Sequence, residues 1–215
     1  NPLVSTEWLN DNLNNVKILD GSWHLPNTNR NPSEEYKLNH IVNSIFFDIE
    51  RNSNHKSNLP HMLPTKEDWE IIVSNFGINN SDHVIVYDNS DVFSSCRVWF
   101  TFLYFGHNPN RISVLDGDFK KWKNEKRPTS KISKKNGKSN YIAGENPSLV
   151  LNKKQINENI INKKYQLIDA RGEQRFLGLQ PEPRKELKSG NIKGSINLPF
   201  QKLIRDDRTF KKREE

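Results

Sequence analysis

Six short runs of apolar residues alternate along the chain with segments of helical pattern. The runs span residues 16–20, 44–49, 83–88, 112–117, 165–170 and 195–200. Near-continuous Val, Ile and Leu over so few residues is typical of strands that are buried on both faces, as in a parallel sheet. Helices between such strands cover the two faces. The alternation therefore predicts an α/β fold in which a mostly parallel sheet is flanked by helices.

The helical segments carry start and stop signals. Ser5 or Thr6 is placed to cap a helix in STEWLNDNL, and Thr65 precedes a helical pattern that stops at Gly77. A third, strongly apolar segment, SSCRVWFTFLYFG, stops at Gly106. These signals predict three helices placed between the strands.

Aspartates end several of the predicted strands. They are Asp20, Asp48, Asp88, Asp116 and Asp169. In open parallel sheets the carboxyl ends of the strands form the ligand crevice, so these positions are candidates for a site. A single strand-end aspartate is more often a loop starter or a helix cap than part of a site.

A weak internal repeat suggests two related domains. VKILDGSW followed by SIFFDI resembles YQLIDARGE followed by SINLPF, with an irregular excursion inside each copy. Residues 129–146, rich in Lys, Asn, Ser and Gly, have the composition of a linker. The sequence thus predicts a first domain over residues 1–128, a linker over 129–146 and an incomplete second domain over 147–215.

Charge and cysteine content limit the classes of partner and site. The chain has 215 residues and a net charge of +7, which suits small anions, but the positive charge is spread along the chain and does not predict nucleic-acid binding. A single cysteine, Cys96, excludes an intrachain disulfide and a cysteine-based zinc cluster. It fits a reducing compartment, and we expect a cytoplasmic protein. No apolar run approaches the ~20 residues of a membrane span.

Two arginines flank a stiff, proline-containing segment, RFLGLQPEPR, which runs from Arg175 to Arg184. A guanidinium group presents a planar fork of donors that matches a carboxylate or a sulfonate. The segment therefore suggests a site for a small anion. The alternative is an exposed charged loop in which the arginines pair with Glu182 and Glu173.

Together these stretches resemble a known family. LVSTEWL, ILDGSWHLP, SIFFDIE, LPHMLP, VIVYDNS, RVWFTFLYFGH, VLDGDFKKW, LIDARGEQRFLGLQPEPR and SGNIKGSINLPF occur in the order found in two-domain rhodanese-like sulfurtransferases. The resemblance covers essentially the whole chain. It implies tandem rhodanese domains, of which residues 1–128 are the non-catalytic copy and residues 147–215 the first part of the catalytic copy.

The resemblance also implies a reaction. In the family a cysteine of the second domain takes a sulfane sulfur from a small anionic donor, carries it as a persulfide and passes it to a thiol or to cyanide, with no cofactor or metal. That cysteine lies beyond the last residue of this chain. We expect the chain alone to be inactive, a C-terminal part of the same protein to complete the second domain, and Cys96 to be a small core residue.

The site residues follow from the matching motifs. Arg175 and Arg184 match the family's substrate-anion arginines, and Asp169 matches an aspartate near the active loop. His61 matches a histidine that, with an acidic residue at the position of Glu50, assists catalysis in the mercaptopyruvate enzymes.

The donor is less clearly indicated. Arg184 and His61 are typical of 3-mercaptopyruvate enzymes, whereas Glu50 is typical of thiosulfate enzymes. We expect 3-mercaptopyruvate as the donor and keep thiosulfate as the alternative. A non-catalytic rhodanese-like binding module is the alternative from another class.

Overall fold

A computed structural model describes residues 2–183 and 187–215. The chain divides into two compact units, Asn1–Asn146 and Pro147–Glu215, and each is described by itself. The first unit contains strands β1 to β7 and the second contains β8 and β9. Their bounds are β1 Leu3–Ser5, β2 Lys17–Asp20, β3 His40–Ile41, β4 Ser44–Phe46, β5 Val84–Tyr87, β6 Ile112–Asp116, β7 Thr129–Ser130, β8 Ile168–Asp169 and β9 Ile196–Asn197.

Three helices of the first unit lie where the sequence signals predict them. The Ser5 hydroxyl accepts the N–H of Trp8, and the Thr65 hydroxyl accepts the N–H of Asp68. Past the third and fourth helices, Gly77 and Gly106 have positive φ angles. The α-helices of the chain are α1 Thr6–Asp11, α2 Pro32–Leu38, α3 Lys66–Asn75, α4 Ser95–Tyr104, α5 Asp118–Asn124, α6 Lys153–Asn162 and α7 Glu173–Phe176.

The predicted parallel sheet is confirmed in the first unit. Five strands pair in the order β1-β6-β5-β2-β4, and every pairing is parallel. The sequence pattern missed β1, because three residues are too few to show a periodicity and their pairing with β6 comes from the fold. It also missed the small antiparallel pair of β3 with β7.

The core of this unit lies on both faces of the sheet. In β5, Val84 and Val86 contribute to one apolar cluster, while Ile85 and Tyr87 contribute to the other. All four side chains are inaccessible to solvent, as the near-continuous apolar run predicts. The helices α3 and α4 supply the first cluster with Trp69, Val73, Val98 and Phe102, and the second includes Leu9, Ile18, Leu115, Phe119 and Trp122.

Residues 129–146 differ from the linker that their composition suggests. They belong to the first unit, where β7 pairs with β3. Tyr141 and Ala143 are buried in the core, and the ring of Tyr141 stacks on His107. The exposed lysines of this segment give it a solvated composition, and two buried side chains are too few to outweigh that composition in the sequence.

The second unit has little core of its own. Strands β8 and β9 pair in parallel, as expected for the runs at 165–170 and 195–200. However, Ile168 and Ile196 are 57% and 52% exposed, so the burial on both faces that the sequence predicts is not found. No Val, Leu, Ile or aromatic side chain is buried in the part of this unit that the structure describes. A two-stranded sheet leaves such side chains uncovered.

The strand pairs β2–β4 and β8–β9 share one geometry. Each first strand ends in an aspartate, Asp20 or Asp169, paired in register with the last residue of the second strand. The aspartate carbonyl accepts the backbone N–H that follows the second strand, at 2.8 and 3.0 Å. Its Oδ1 accepts the N–H of the residue two positions later, at 3.0 Å in both units.

Candidate active site

The structure brings together the predicted residues Glu50 and His61. Glu50 follows β4, and His61 lies on the loop that leads to α3. His61 Nε2 is 3.7 Å from Glu50 Oε1, an ion pair when the imidazole is protonated. His61 has a φ of 55°, unusual for a residue with a side chain, and its carbonyl accepts a hydrogen bond from the guanidinium of Arg97. The pair lies at the surface, with the Glu50 side chain 66% exposed.

Trp23, which the sequence analysis did not single out, completes this group. It follows β2 in the GSWHLP stretch. Its indole Nε1–H donates to Glu50 Oε1 at 3.0 Å. Its ring meets His61 edge to face, with centroids 4.9 Å apart and an angle of 84°. The contact joins residues far apart in sequence, so no local pattern could have shown it.

In the second unit, Asp169 is held by Arg171. The guanidinium Nε of Arg171 is 2.9 Å from Asp169 Oδ1, and this contact keeps the pKa of Asp169 below its ordinary value. Arg171 also donates through Nη1 to Glu182 Oε1 at 2.7 Å. Sequence analysis missed Arg171, although its position after a strand-end aspartate is a usable signal.

Arg175 is paired with Glu182. Its Nε lies 3.1 Å from Glu182 Oε2, and its Nη2 donates to the same oxygen. The Glu182 side chain is only 3% exposed, and the hydrogen bond from Arg175 holds its pKa below the ordinary value. Nη1 of Arg175 has no hydrogen-bond partner among the described residues. Arg184, the other predicted anion-binding residue, lies outside the described residues.

Asp169, Arg171, Glu182 and Arg175 therefore form one chain of alternating charge, called here the Asp169–Arg175 chain. Glu182 stands between the two prolines of the PEP stretch, so this chain ties that stretch to the end of β8. Glu182 engages the Nε and Nη2 side of Arg175 and leaves the Nη1 side for another acceptor. A guanidinium held along one edge is preorganised to bind an anion with the other.

The loop between β5 and α4 is closed on itself in the first unit. Asp88 is buried, and its two carboxylate oxygens accept the N–H groups of Ser90 at 2.8 Å and of Ser95 at 2.7 Å. Burial raises the pKa of Asp88 to about 6. These N–H donors are thus engaged by the loop's own carboxylate.

Cys96 lies in the first turn of α4 and is partly rather than fully buried. Burial, with a smaller contribution from the charge of Asp88, raises the pKa of its thiol to about 11. A thiol that stays protonated at neutral pH is a weak nucleophile. The structure thus offers no sulfur carrier at Cys96.

In the part of the chain that the structure describes, no group of three or more His, Cys, Asp or Glu side chains is arranged to hold a metal ion. None of the helices there has the length and apolar character needed to cross a membrane.

Comparison with known proteins places the chain in a family. Residues 5–125 match the family model of the rhodanese-like domain. The chain is 36% identical over 221 residues to 3-mercaptopyruvate sulfurtransferase of Mus musculus, covering 99% of this chain and 74% of that protein. The chain belongs to the rhodanese-like sulfurtransferases. Members named for the other donor are equally similar, since thiosulfate sulfurtransferase of Rattus norvegicus is 38% identical with the same coverage.

A solved structure agrees with this placement, and the chain spans only part of the length of the family members it matches. A thiosulfate/3-mercaptopyruvate sulfurtransferase of Arabidopsis thaliana, named as mitochondrial, is 38% identical over 237 residues, and the chain spans 62% of its length. The crystal structure of SseA, a 3-mercaptopyruvate sulfotransferase of Escherichia coli, superposes with a TM-score of 0.87 at 30% identity. It covers 98% of this chain, which in turn covers 79% of SseA.

Proposed function

We propose that the protein is a sulfurtransferase that moves a sulfane sulfur from 3-mercaptopyruvate to a thiol or cyanide through a cysteine persulfide. The observation that carries the proposal is the anchored guanidinium of Arg175, whose free edge suits the acidic end of a small donor. Its setting is a chain whose relatives are named for 3-mercaptopyruvate and for thiosulfate.

The chemistry consists of two nucleophilic displacements. The cysteine thiolate attacks the sulfur of 3-mercaptopyruvate, the S–C bond breaks with its electron pair passing to carbon, and the resulting pyruvate enolate takes up a proton. The acceptor then attacks the outer sulfur of the persulfide, and the cysteine leaves as a thiolate. Dividing the transfer in this way replaces one difficult step by two easier ones.

Residues of this chain take two roles in that scheme. Arg175 and Arg184 bind the carboxylate of the donor, which as a planar group accepts a bidentate pair. His61, oriented by Glu50, assists the proton transfer that accompanies release of pyruvate. Asp169 acts through Arg171, which holds Glu182 and so helps to fix Arg175.

The reacting cysteine is supplied from outside these 215 residues. In the first unit β2 has a neighbour on each side, β5 and β4. In the second unit the corresponding strand β8 pairs with β9, and its other edge has no strand among the described residues. A further C-terminal part of the same protein, attached or as a bound fragment, would add a strand there and cover the exposed apolar side chains.

Thiosulfate is the second candidate donor. Glu50 favours it, because glutamate at this position is typical of the thiosulfate enzymes, and a thiosulfate dianion also suits the free edge of Arg175. Changing Arg184 separates the two donors. Arg184→Asp should lower kcat/KM for 3-mercaptopyruvate by about ten- to a hundredfold, because one charge-assisted pair is lost, with a smaller loss for thiosulfate.

The test uses the complete protein and the 215-residue chain side by side. Both are assayed with 3-mercaptopyruvate and with thiosulfate. The persulfide is detected by mass spectrometry as an increase of about 32 Da, the mass of one sulfur atom. We expect turnover and a persulfide in the complete protein, favouring 3-mercaptopyruvate, and neither in the chain. Absence of both in the complete protein would make it a binding module, and turnover of the chain that is lost in Cys96→Ser would overturn the placement of the site.

Arg175→Lys provides the site-specific arm of this test. Lysine keeps the charge but cannot hold Glu182 with one edge and the donor with the other. The KM for the donor should rise by about tenfold, with a smaller change in kcat. Arg205→Lys is the matched control, because Arg205 belongs to the same unit and pairs with Glu215. An equal effect in the control would remove the special role of Arg175.

A further inference from the structure

We propose that Trp23 is the positioning residue of the Glu50–His61 pair, and that the loop between β5 and α4 serves as its support. The inference rests on the proposed function only in that Glu50 and His61 assist sulfur transfer. The loop itself, residues 88–95, has no part in the reaction steps described above.

The first step is the contact of Trp23 with Glu50. The indole N–H donates to the same oxygen, Oε1, that faces the imidazole of His61. A glutamate that is 66% exposed would otherwise lose this arrangement to the rotamers that water allows it. One fixed donor therefore decides where the carboxylate stands relative to the imidazole.

The second step is the contact of Trp23 with His61 itself. The edge-to-face geometry places the two rings nearly at right angles, a favoured arrangement for aromatic pairs. It restricts the rotation of the imidazole about its side-chain bonds. Trp23 thus touches both members of the pair, and each contact limits a different degree of freedom.

The loop between β5 and α4 holds the backbone of Trp23. Its backbone N–H donates to the hydroxyl of Ser94 at 3.0 Å, and its carbonyl accepts a hydrogen bond from the hydroxyl of Ser90. The Ser94 hydroxyl in turn donates to the carbonyl of Gly21 at 2.8 Å. A Cβ at Gly21 would lie 2.8 Å from a methyl of Val98, so the segment sits directly against α4.

The start of α4, next to this loop, also contacts His61. Arg97, in the first turn of α4, donates to the His61 carbonyl, while Asp88 fixes the loop by accepting from Ser90 and Ser95. The loop and the start of α4 hold the indole through its backbone and hold the imidazole through its own carbonyl. The loop between β5 and α4, with the first turn of α4, therefore contacts both the segment that carries Trp23 and the segment that carries His61.

The experiment compares Trp23→Phe with the parent in the complete protein. Phenylalanine keeps an aromatic ring and removes the N–H. The readout is the NMR titration of the His61 ring protons, assigned with His61→Gln. Glu50 faces the imidazole, and Arg97 donates to the His61 carbonyl. When Glu50 is no longer tethered, the titration midpoint of His61 should fall by about half a pH unit, because a nearby carboxylate favours the charged imidazole.

A double-mutant cycle separates positioning from packing. In a Glu50→Gln background, Trp23→Phe should leave the His61 midpoint unchanged. If Trp23→Phe lowers the His61 midpoint equally in the Glu50→Gln background, the ring acts by packing alone. If it does not lower the midpoint when Glu50 is present, Trp23 does not position the pair. If it raises the midpoint, Trp23 competes with His61 for the carboxylate. Each of these three results overturns the proposal. Trp8→Phe, whose ring lies against His83, is the matched control.

Two further measurements keep the test decisive. If Trp23→Phe does not fold, Ser94→Ala takes its place, because it removes the acceptor of the Trp23 backbone N–H. Ser94→Ala should also lower the titration midpoint of His61. An unchanged midpoint would refute the supporting role of the loop. Turnover is measured in parallel, and kcat should fall about fivefold or more while the KM for the donor holds. A lowered midpoint with unchanged kcat would leave the positioning intact and contradict only the proposed role of His61.

Discussion

The first unit should be stabilised at neutral pH by Asp20→Asn. Asp20 ends β2, an interior strand of the sheet, and is 3% exposed, with Ser22 donating to its Oδ1 through both the backbone N–H and the hydroxyl. Burial raises its pKa from 3.8 to about 6, although hydrogen bonds from Ser22 and Tyr87 oppose this. At neutral pH the folded protein therefore carries a buried charge that costs free energy.

The magnitude follows from the shift in the pKa. A rise from 3.8 to about 6 corresponds to an unfavourable contribution of about 3 kcal/mol above pH 6. Between these values the folded state binds more protons than the unfolded state, so stability falls as the pH rises through this window. At pH 4.5 the contribution is only about 1 kcal/mol. The advantage of Asp20→Asn should therefore grow by about 2 kcal/mol between pH 4.5 and 7.5.

Tryptophan fluorescence reads this change selectively. All five tryptophans of the chain belong to the first unit: Trp8, Trp23, Trp69, Trp99 and Trp122. In urea unfolding, 2 kcal/mol displaces the midpoint by about 1 M. Asp88→Asn is the contrasting variant, because each oxygen of Asp88 accepts a different N–H and an amide can replace only one of them. If the Asp20→Asn advantage is the same at both pH values, or if the variant is less stable than the parent at pH 7.5, the reasoning fails.

Three further predictions test other parts of the molecule. Because burial raises the pKa of Cys96 to about 11, iodoacetamide should label it at pH 7.5 more than about tenfold slower than a free cysteine, as followed by mass spectrometry; labelling at the free rate would contradict the burial. Glu125 is partly desolvated, but hydrogen bonds from Lys121, Thr6 and Arg127 lower its pKa to about 2. The stabilisation that ionised Glu125 provides is present above pH 4.5 and is lost as the pH falls through 2. Glu125→Gln should therefore lower the free energy of unfolding in urea by roughly 2 kcal/mol at pH 7 and by less at pH 2.5. An equal loss at both pH values would contradict this. In the complete protein, Glu182→Gln should raise the KM for 3-mercaptopyruvate by about tenfold by releasing Arg175, whereas an unchanged KM would show that Arg175 needs no such anchor.

Local sequence patterns predicted the parts of the fold that depend on neighbouring residues. The run at 83–88 indicated a strand buried on both faces, and Thr65 and Gly77 marked the ends of α3, because hydrophobic period and capping are properties of short segments. The packing of residues 129–146 was not visible. Tyr141 reaches the core through contacts with residues more than 30 positions away, such as Ser74 and His107.

The candidate site divides in the same way. Motifs identified Glu50, His61 and Arg175, and the structure pairs the first two with each other. The groups that orient them were missed. Trp23 is 27 positions from Glu50. Glu182 accepts hydrogen bonds from both Arg171 and Arg175, and these contacts depend on the fold of the PEP stretch. A side chain that acts through another residue leaves no signature of its own type or spacing, so only the three-dimensional arrangement shows it.

Asp20 and Asp169 share one local backbone geometry, but their pKa values are shifted in opposite directions. Asp20 lies between two neighbouring strands and accepts from the hydroxyl of Ser22, and burial makes its carboxylate costly to ionise. At the corresponding place in the second unit, Arg171 stands two residues after Asp169, where Ser22 stands after Asp20, and its hydrogen bonds favour the ionised carboxylate. We propose that a further strand covers the edge of β8 that has no neighbour among the described residues; Asp169, paired with Arg171, would then stay charged at a smaller penalty than Asp20 bears. The strand end of the first unit is thus packed between neighbouring strands. The strand end of the second unit begins a chain of alternating charge that ends at Arg175, the residue that we propose binds an anionic donor.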